Sequence, residues 1–307
     1  MTEVAFDPSA AEFVKDPYKV YERLRVKDPV HRMANGCWVL SRYDDIDRAL
    51  KDANYSNKPH PFSIVGPHNR DRFSASRIAN QLMAFTDPPD HGRTRKPFNT
   101  KFHQRMQNLK PIVQEATDSL FSRLPRNQAF EFLRSYANPL ATEVICKFIG
   151  FPITHKRELT EWSRQLFYLF HAIPSQQVLD QVNRSLEEFE SFVANQIAIK
   201  RSSPSDDFIS LLLSTGDLDQ DEIIHNIMLI TADGIGNVDV GLTLAFHTLL
   251  SFPDQYEQLC KDPSLAKSAV AECLRYDSPA QYQGRILLSE TNVSGRKIPA
   301  MSIVLLA

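Results

Sequence analysis

The stretch Ala269-Val270-Ala271-Glu272-Cys273-Leu274-Arg275-Tyr276-Asp277-Ser278-Pro279 has the spacing of the last turns of a helix. Ala269, Cys273 and Tyr276 fall on one face at helical periodicity. Glu272 and Arg275 sit three apart and are neighbours on another face. Ser278-Pro279 stops the helix, because the residue before a proline is pushed out of the α region. Taken alone, Glu272 and Arg275 read as a solvated ion pair worth roughly a few tenths of a kcal/mol. Their weight comes from what flanks them.

Downstream, Gln283 to Leu288 reads as strand. The chain then turns at Ser294-Gly295, and another strand starts within Ile298 to Leu306. Upstream lies the longest apolar-periodic segment, Asp219 to Phe252, predicted as one helix. Its centre is Ala232-Asp233-Gly234-Ile235-Gly236-Asn237-Val238-Asp239. Two glycines inside a helix cost about 1 kcal/mol each against alanine. They point to close approach of a ligand or a local distortion. A dinucleotide-binding Gly-x-Gly turn is the rival reading. Against it, the third small residue falls on Asp239 and no second strand ending in an acidic residue follows about 20 residues on.

Further upstream, helices are predicted over 109–124, 139–149, 156–172, 176–200 and 208–213. Gly150 serves as a C-cap, and Asp206-Asp207 as an N-cap. Ala129 to Leu133 is expected to be a short strand. Residues 53–80, polar and proline-bearing with His60 and His68, are expected to form a long loop region. Val30–Met33 and Cys37–Leu40 flank Ala34-Asn35-Gly36 and form a β-hairpin. Asp16-Pro17-Tyr18 opens a helix, and residues 41–52 form another.

One early segment carries chemistry: Met83-Ala84-Phe85-Thr86-Asp87-Pro88-Pro89-Asp90-His91-Gly92-Arg93-Thr94-Arg95. Thr86 or Asp87 is expected to cap a helix beginning at the prolines. His91 and Arg95, four apart, then project from one face. Two cationic donors one turn apart suit an anionic group such as a carboxylate or phosphate. A plain basic face is the alternative, since Arg93, Lys96 and Lys101 are close by.

The 307 residues have a net charge of −2, which gives no sign of a nucleic-acid or anionic-membrane partner. No run of apolar residues is long enough to span a bilayer, and Met1–Ala10 lacks the regions of a signal peptide. The four cysteines, Cys37, Cys146, Cys260 and Cys273, show no C-x-x-C spacing. Reduced thiols and a cytoplasmic location are expected, with no zinc site. The fold class is mainly α with small β-sheets, in a single domain over residues 1–307.

The order of these segments resembles the bacterial, soluble cytochrome P450 haem-thiolate monooxygenases. The likeness rests on the Asp-Pro-Tyr helix, Trp38-Val39-Leu40-Ser41-Arg42-Tyr43 and Asp87-Pro88-Pro89-Asp90-His91-Gly92-Arg93-Thr94-Arg95. It also rests on Phe252-Pro253-Asp254-Gln255, Asp262-Pro263-Ser264-Leu265, Glu272-x-x-Arg275 with Tyr276-Asp277-Ser278-Pro279, and Ile298-Pro299-Ala300. The resemblance implies haem as cofactor, with His91 and Arg95 on one propionate and Arg285 on the other. It implies that Glu272 and Arg275 form a buried structural ion pair, costly to break singly. It implies oxidation of a small apolar organic substrate, contacted by residues 53–80 and 165–180, with electrons from a ferredoxin-type partner.

Two departures from the family stand out. Its mid-helix motif is commonly Ala-Gly-x-Asp/Glu-Thr. Here Asp233-Gly234-Ile235-Gly236-Asn237 falls on it, so Gly236 replaces the acid and Asn237 the alcohol. Asn237 hydrogen-bonds water but supplies no acid, and dioxygen activation is expected to be impaired or routed through water. The ligand loop, Phe-x-x-Gly-x-x-x-Cys-x-Gly, does not occur. This reads as a P450-like fold truncated at the C-terminus, with no metal ligand, doubtful haem binding, inactive or impaired chemistry and an exposed apolar surface open to a protein partner. Two alternatives are a haem-free accessory protein that binds or activates a partner enzyme, and an apolar small-molecule binder.

Overall fold

The computed structural model describes residues 5–307. The N-terminal part holds α1 (Ala11–Lys15), α2 (Pro17–Lys27), β1 (Val30–Arg32), β2 (Trp38–Leu40), α3 (Tyr43–Lys51) and β3 (Tyr55–Ser56). A helical body follows. It comprises α4 (Ser74–Ala79), α5 (Asp90–Met106), α6 (Leu109–Phe121), α7 (Asn138–Ile149), α8 (Lys156–Phe167), α9 (Gln176–Ser202), α10 (Phe208–Leu213) and α11 (Gln220–Ser251). Then come α12 (Pro253–Lys261), α13 (Ala266–Tyr276), β4 (Gln283–Leu287), β5 (Thr291–Val293), β6 (Arg296–Ile298) and β7 (Ile303–Leu306). The chain is mainly helical with small sheets, as its sequence predicts.

Two distant parts of the sequence share one sheet, ordered β1-β2-β7-β4-β3. The β1–β2 hairpin is antiparallel, and β2 pairs parallel to β7 with Trp38 opposite Val304. β4 lies antiparallel between β7 and β3, with Arg285 opposite Val304 and Ser56 opposite Ile286. β5 and β6 form a separate hairpin.

The long helix α11 is the axis of the helical body. It starts at a capping box: Asp219 accepts from the Glu222 backbone, and the Glu222 carboxylate accepts from the Asp219 backbone. Ile223, Ile227, Met228, Ala232 and Ile235 are buried against α7, α8 and α9. Each of the isoleucine and methionine side chains contributes about 1.5–3 kcal/mol by leaving water. By length and mean hydropathy α11 alone would be long and apolar enough to cross a membrane. Its packing on three helices is that of a core helix.

The two mid-helix glycines serve this packing. A Cβ on Gly236 would lie 2.6 Å from Phe167 Cε2 of α8, and one on Gly234 would overlap the end of Ile145 of α7. The helix runs unbroken through both. Neighbouring helices, not a ligand or a distortion, account for these glycines. Gly150, at φ +103, closes α7 in the left-handed conformation expected of a C-cap.

Several expectations need correction. Ala129–Leu133 is not a strand. The Glu131 carboxylate accepts the backbone N–H of Leu133 and Arg134, which starts a π-helical turn at Leu133–Ala137 leading into α7. Neither Thr86 nor Asp87 caps α5 by its side chain: Thr86 turns back to the Met83 carbonyl, and Asp87 is used elsewhere. Residues 53–80 are not all loop, since β3 and α4 lie within them. The Glu272–Arg275 pair forms, with contacts of 2.6 and 2.7 Å, but both side chains are more than half exposed. Its expected burial is not met. The neighbouring Val270, Leu274 and Tyr276 are exposed as well.

Candidate functional site

One face of α11 organises the site. Glu222, Asn226, Ile230, Asp233, Asn237 and Gly241 recur at helical spacing and line up along it. The first two hold α5 and the segment that precedes it. Arg93 and Thr94 of α5 donate to the Glu222 carboxylate. Asn226 accepts from the Met83 backbone at 2.7 Å and donates to the Gln81 carbonyl at 3.4 Å. At the far end, Gly241 faces Leu274 of α13 and Pro279, in van der Waals range of where a Cβ would stand. From Asn226 to Gly241 the face runs about 22 Å. It is covered at both ends, where Asn226 and Gly241 are buried. In the middle it is open: Asp233 is half-buried and Asn237 exposed.

His91 and Arg95 are brought together on α5, as predicted. Their relation differs from two cationic donors. His91 Nδ1 donates to the Met83 carbonyl at 3.0 Å, which leaves Nε2 to accept from Arg95 Nη1 at 3.3 Å. His91 is thus the acceptor of the pair, and it becomes a second donor only on taking a proton. Among the described residues neither side chain holds a carboxylate.

Arg285 stands on β4, half-buried. Its hydrogen bonds go to the Gly284 carbonyl at 2.8 Å and Gln283 Oε1 at 3.3 Å. Burial lowers its pKa, and the nearby Asp87 only partly opposes this. A guanidinium with these two neutral acceptors and a depressed pKa is short of a counter-charge. Asp87, which sequence reasoning assigned to a cap, joins the two halves of the site instead. Its carboxylate accepts from Ser56 Oγ at 2.5 Å and the Asn57 backbone at 2.8 Å, while its carbonyl accepts from His91 N. Through Asp87 the start of α5 is fixed beside β3, and β3 pairs with β4 next to Arg285.

On the open face, Asn237 Nδ2 donates to Asp233 Oδ1 at 3.4 Å. Burial raises the Asp233 carboxyl to about 6. Gly236 does not reach this face; its side of the helix is filled by Phe167. The acid missing at position 236 therefore has a neighbour one turn earlier, which the sequence motif alone did not single out.

The segment beside the site is pinned rather than loose. Arg77 of α4 makes a bidentate pair with Glu190 of α9 at 2.6 and 2.7 Å, and His225 Nε2 of α11 lies 2.6 Å from the same carboxylate. Burial pushes the Glu190 pKa up, but Arg77 and His225 outweigh it and hold the carboxyl down to about 2. The Ala75 backbone donates to Asn183 at 2.9 Å.

None of the four cysteines has the setting of a metal-ligating thiolate. Burial raises the pKa of Cys37 and Cys273 and pushes that of Cys146 up to about 12. Cys260 lies exposed on α12. Among the described residues no group of three His, Cys, Asp or Glu side chains is placed to hold a metal ion.

No protein-family model matches the chain. Among curated proteins it is 30% identical over 310 residues to the vitamin D(3) 25-hydroxylase of Pseudonocardia autotrophica, covering 98% of this chain and 74% of that protein. It is 27% identical over 300 residues to the biotin biosynthesis cytochrome P450 of Bacillus subtilis, covering 95% and 75%. It is 30% identical over 291 residues to cytochrome P450 107B1 of Saccharopolyspora erythraea, covering 90% and 69%. Among solved structures, CalO2 matches with a TM-score of 0.90 at 27% identity, over 99% of this chain and 77% of that one. P450BioI, in complex with hexadec-9Z-enoic acid ligated acyl carrier protein, matches with a TM-score of 0.88 at 27% identity, over 97% and 78%. With this degree of identity along nearly its whole length, and with this fold, the chain belongs to the cytochrome P450 family.

Proposed function

We propose that this chain forms the propionate-holding and substrate-enclosing part of a haem-dependent monooxygenase that oxidises a small, largely apolar organic molecule. The observation that carries the reading is Arg285: a half-buried cation, its pKa lowered by burial, with no carboxylate hydrogen-bonded to it among the described residues. A carboxylate-bearing ligand supplies what it lacks. Arg95, whose hydrogen-bonding partner is the neutral acceptor His91, fits a second carboxylate. These residues suit the two propionates of a haem, so the propionate side of the group fits the chain. The iron ligand is not among the 307 residues, since no cysteine stands in a Phe-x-x-Gly-x-x-x-Cys-x-Gly loop.

Haem bound through a thiolate supplies dioxygen activation and insertion of oxygen into carbon–hydrogen bonds. The chain's own residues do other work. Arg285 and Arg95 bind and orient the carboxylates, and His91 Nε2 steadies the Arg95 guanidinium. α11 excludes water along its apolar stretches, and Asn237 holds a polar molecule on the open face. The relatives named as a vitamin D(3) 25-hydroxylase and a 6-deoxyerythronolide B hydroxylase support an apolar substrate.

Titration of the chain with haemin, followed by absorption, tests this. Arg285→Ala and Arg95→Ala each weaken haemin binding by about tenfold or more, the value of a charge-assisted hydrogen bond. Arg123→Ala, at an exposed site where the side chain donates to Ser119 Oγ, leaves it unchanged. No Soret complex with the wild type, or equal binding by all three variants, refutes the reading. A reduced, CO-treated band at the thiolate position would show that one of the four cysteines ligates iron after all.

A further inference from the structure

We infer that Asp233 is a specificity residue that selects a ligand carrying a basic nitrogen on an otherwise apolar body. The inference rests on the reading of the α11 face as a substrate-enclosing wall.

Three observations carry it. First, Asp233 occupies the middle of the one stretch of that face left open, between the part that holds Met83 and the part that meets Leu274 and Pro279. Second, it is the only ionisable group among the open positions. Its helical neighbours there are Ile230, Asn237, Val240 and Leu244, of which Val240 is 38% exposed. Third, its charge is unmatched. The single hydrogen bond is the long one from Asn237, and among the described residues no Lys, Arg or His forms an ion pair with it. Of the other carboxylates buried on the same helix, Glu222 is held by Arg93 and Thr94, while Asp239 faces Asn138 of α7 rather than the open stretch, taking a hydrogen bond from it on Oδ2 and leaving Oδ1 buried without a partner among the described residues.

A carboxylate taken from water without a partner is unfavourable, and an incoming cation removes that cost. A neutral alcohol offers one hydrogen bond and no charge, and an anionic ligand is repelled. Burial holds this carboxyl near 6, so at a slightly alkaline pH it is ionised and ready to pair. Asn237 accepts a second N–H of the same ammonium through its amide oxygen. The apolar remainder of the ligand covers Ile230, Val240 and Leu244.

The test is calorimetric titration of the haem-free chain at slightly alkaline pH with octylamine, 1-octanol and octanoate, which share a tail and differ in the head. Octylamine binds about tenfold tighter than 1-octanol, and octanoate more weakly than either. In Asp233→Asn, which keeps the shape, the amine and the alcohol come within about twofold of each other. Equal affinities of amine and alcohol in the wild type overturn the inference, as does an amine preference that survives Asp233→Asn. So does failure of octylamine to bind at all. Should the variant fold poorly, the ligand series on the wild type still decides. A chain that shows the amine preference but forms no Soret complex with haemin refutes the monooxygenase reading alone.

Discussion

Gly236→Ala asks whether the family's acid position has been closed by packing. The added methyl would sit 2.6 Å from Phe167 Cε2 and 3.3 Å from Cζ. An aromatic ring cannot bend away from such a contact as the end of a flexible chain does. Either the ring or the helix must shift, which costs about 1–3 kcal/mol in a packed interior. Alanine also favours helix over glycine by about 1 kcal/mol. The clash wins, and the net effect is destabilisation by about 1 kcal/mol, within a range of roughly 0–2 kcal/mol. In a Phe167→Ala background the clash is gone and only the helix preference remains. There the same substitution stabilises by up to about 1 kcal/mol. The double-mutant cycle thus carries a coupling of about 1–3 kcal/mol. Urea unfolding followed by circular dichroism reads all four corners, with the slope checked for constancy. Gly236→Glu, which restores the family's acid, is worse than Gly236→Ala, because its chain continues into the ring. If Gly236→Ala stabilises the wild type as it would an exposed helix position, or if the coupling is zero, Phe167 does not close this position.

Two further substitutions probe the charges around the site. Burial raises the Asp233 carboxyl from 3.8 to about 6, so the folded chain keeps a proton in a window where the unfolded chain releases it. The stability tied to this group is full below about pH 3.8 and is lost as pH rises through about 6. Asp233→Asn is therefore close to neutral in acid and stabilising by on the order of 1–3 kcal/mol above neutrality, and a pH series of thermal melts shows whether the gain grows across that window. Glu190 has the opposite sign: Arg77 and His225 outweigh its burial and hold it at about 2 against an ordinary 4.5, so its contribution is present above about 4.5 and is lost as pH falls toward about 2. Glu190→Gln costs about 1.5–3 kcal/mol at neutral pH and flattens the acid limb of the same melts; an unchanged acid limb would show that the network with Arg77 and His225 carries no net stability.

Much of the architecture was legible because it rests on local rules. The Asn35-Gly36 hairpin, the Gly150 C-cap, the Asp207 N-cap and the periodicity of α9 and α11 are each decided within a few residues. Ala129–Leu133 misled because alternating apolar residues suit a strand, whereas Glu131 offers the following N–H groups a cap and Phe132 stacks on Phe246 of α11. The mid-helix glycines looked like a ligand's footprint, since sequence cannot show that Ile145 and Phe167 arrive there from other helices. The site was half legible. His91, Arg95 and Arg285 came from motif positions. Asp87 was read as a local cap, because its true partners at Ser56 and Asn57 lie about thirty residues earlier. Asp233 was passed over for the degenerate positions Gly236 and Asn237, because a motif fixes which places to compare and not which side chain faces the open side of the helix.

Arg285 and Asp233 together sharpen the point. Each is an ionisable group whose charged form is disfavoured by burial, and they carry opposite signs. Stability alone would favour exposing them, neutralising them or pairing them, as the chain does for Arg77 with Glu190 and for Arg93 with Glu222. No hydrogen bond or ion pair joins Arg285 to Asp233 among the described residues. Arg285 stays on the sheet beside Asp87, and Asp233 stays on α11 beside Asn237. Two unmatched charges kept on different elements call for two separate counter-ions. An anionic group against the sheet and a cationic one against the helix satisfy both, and they do so without competing. That division is what the proposed reading requires, a carboxylate-bearing cofactor against the sheet and a basic substrate against the helix.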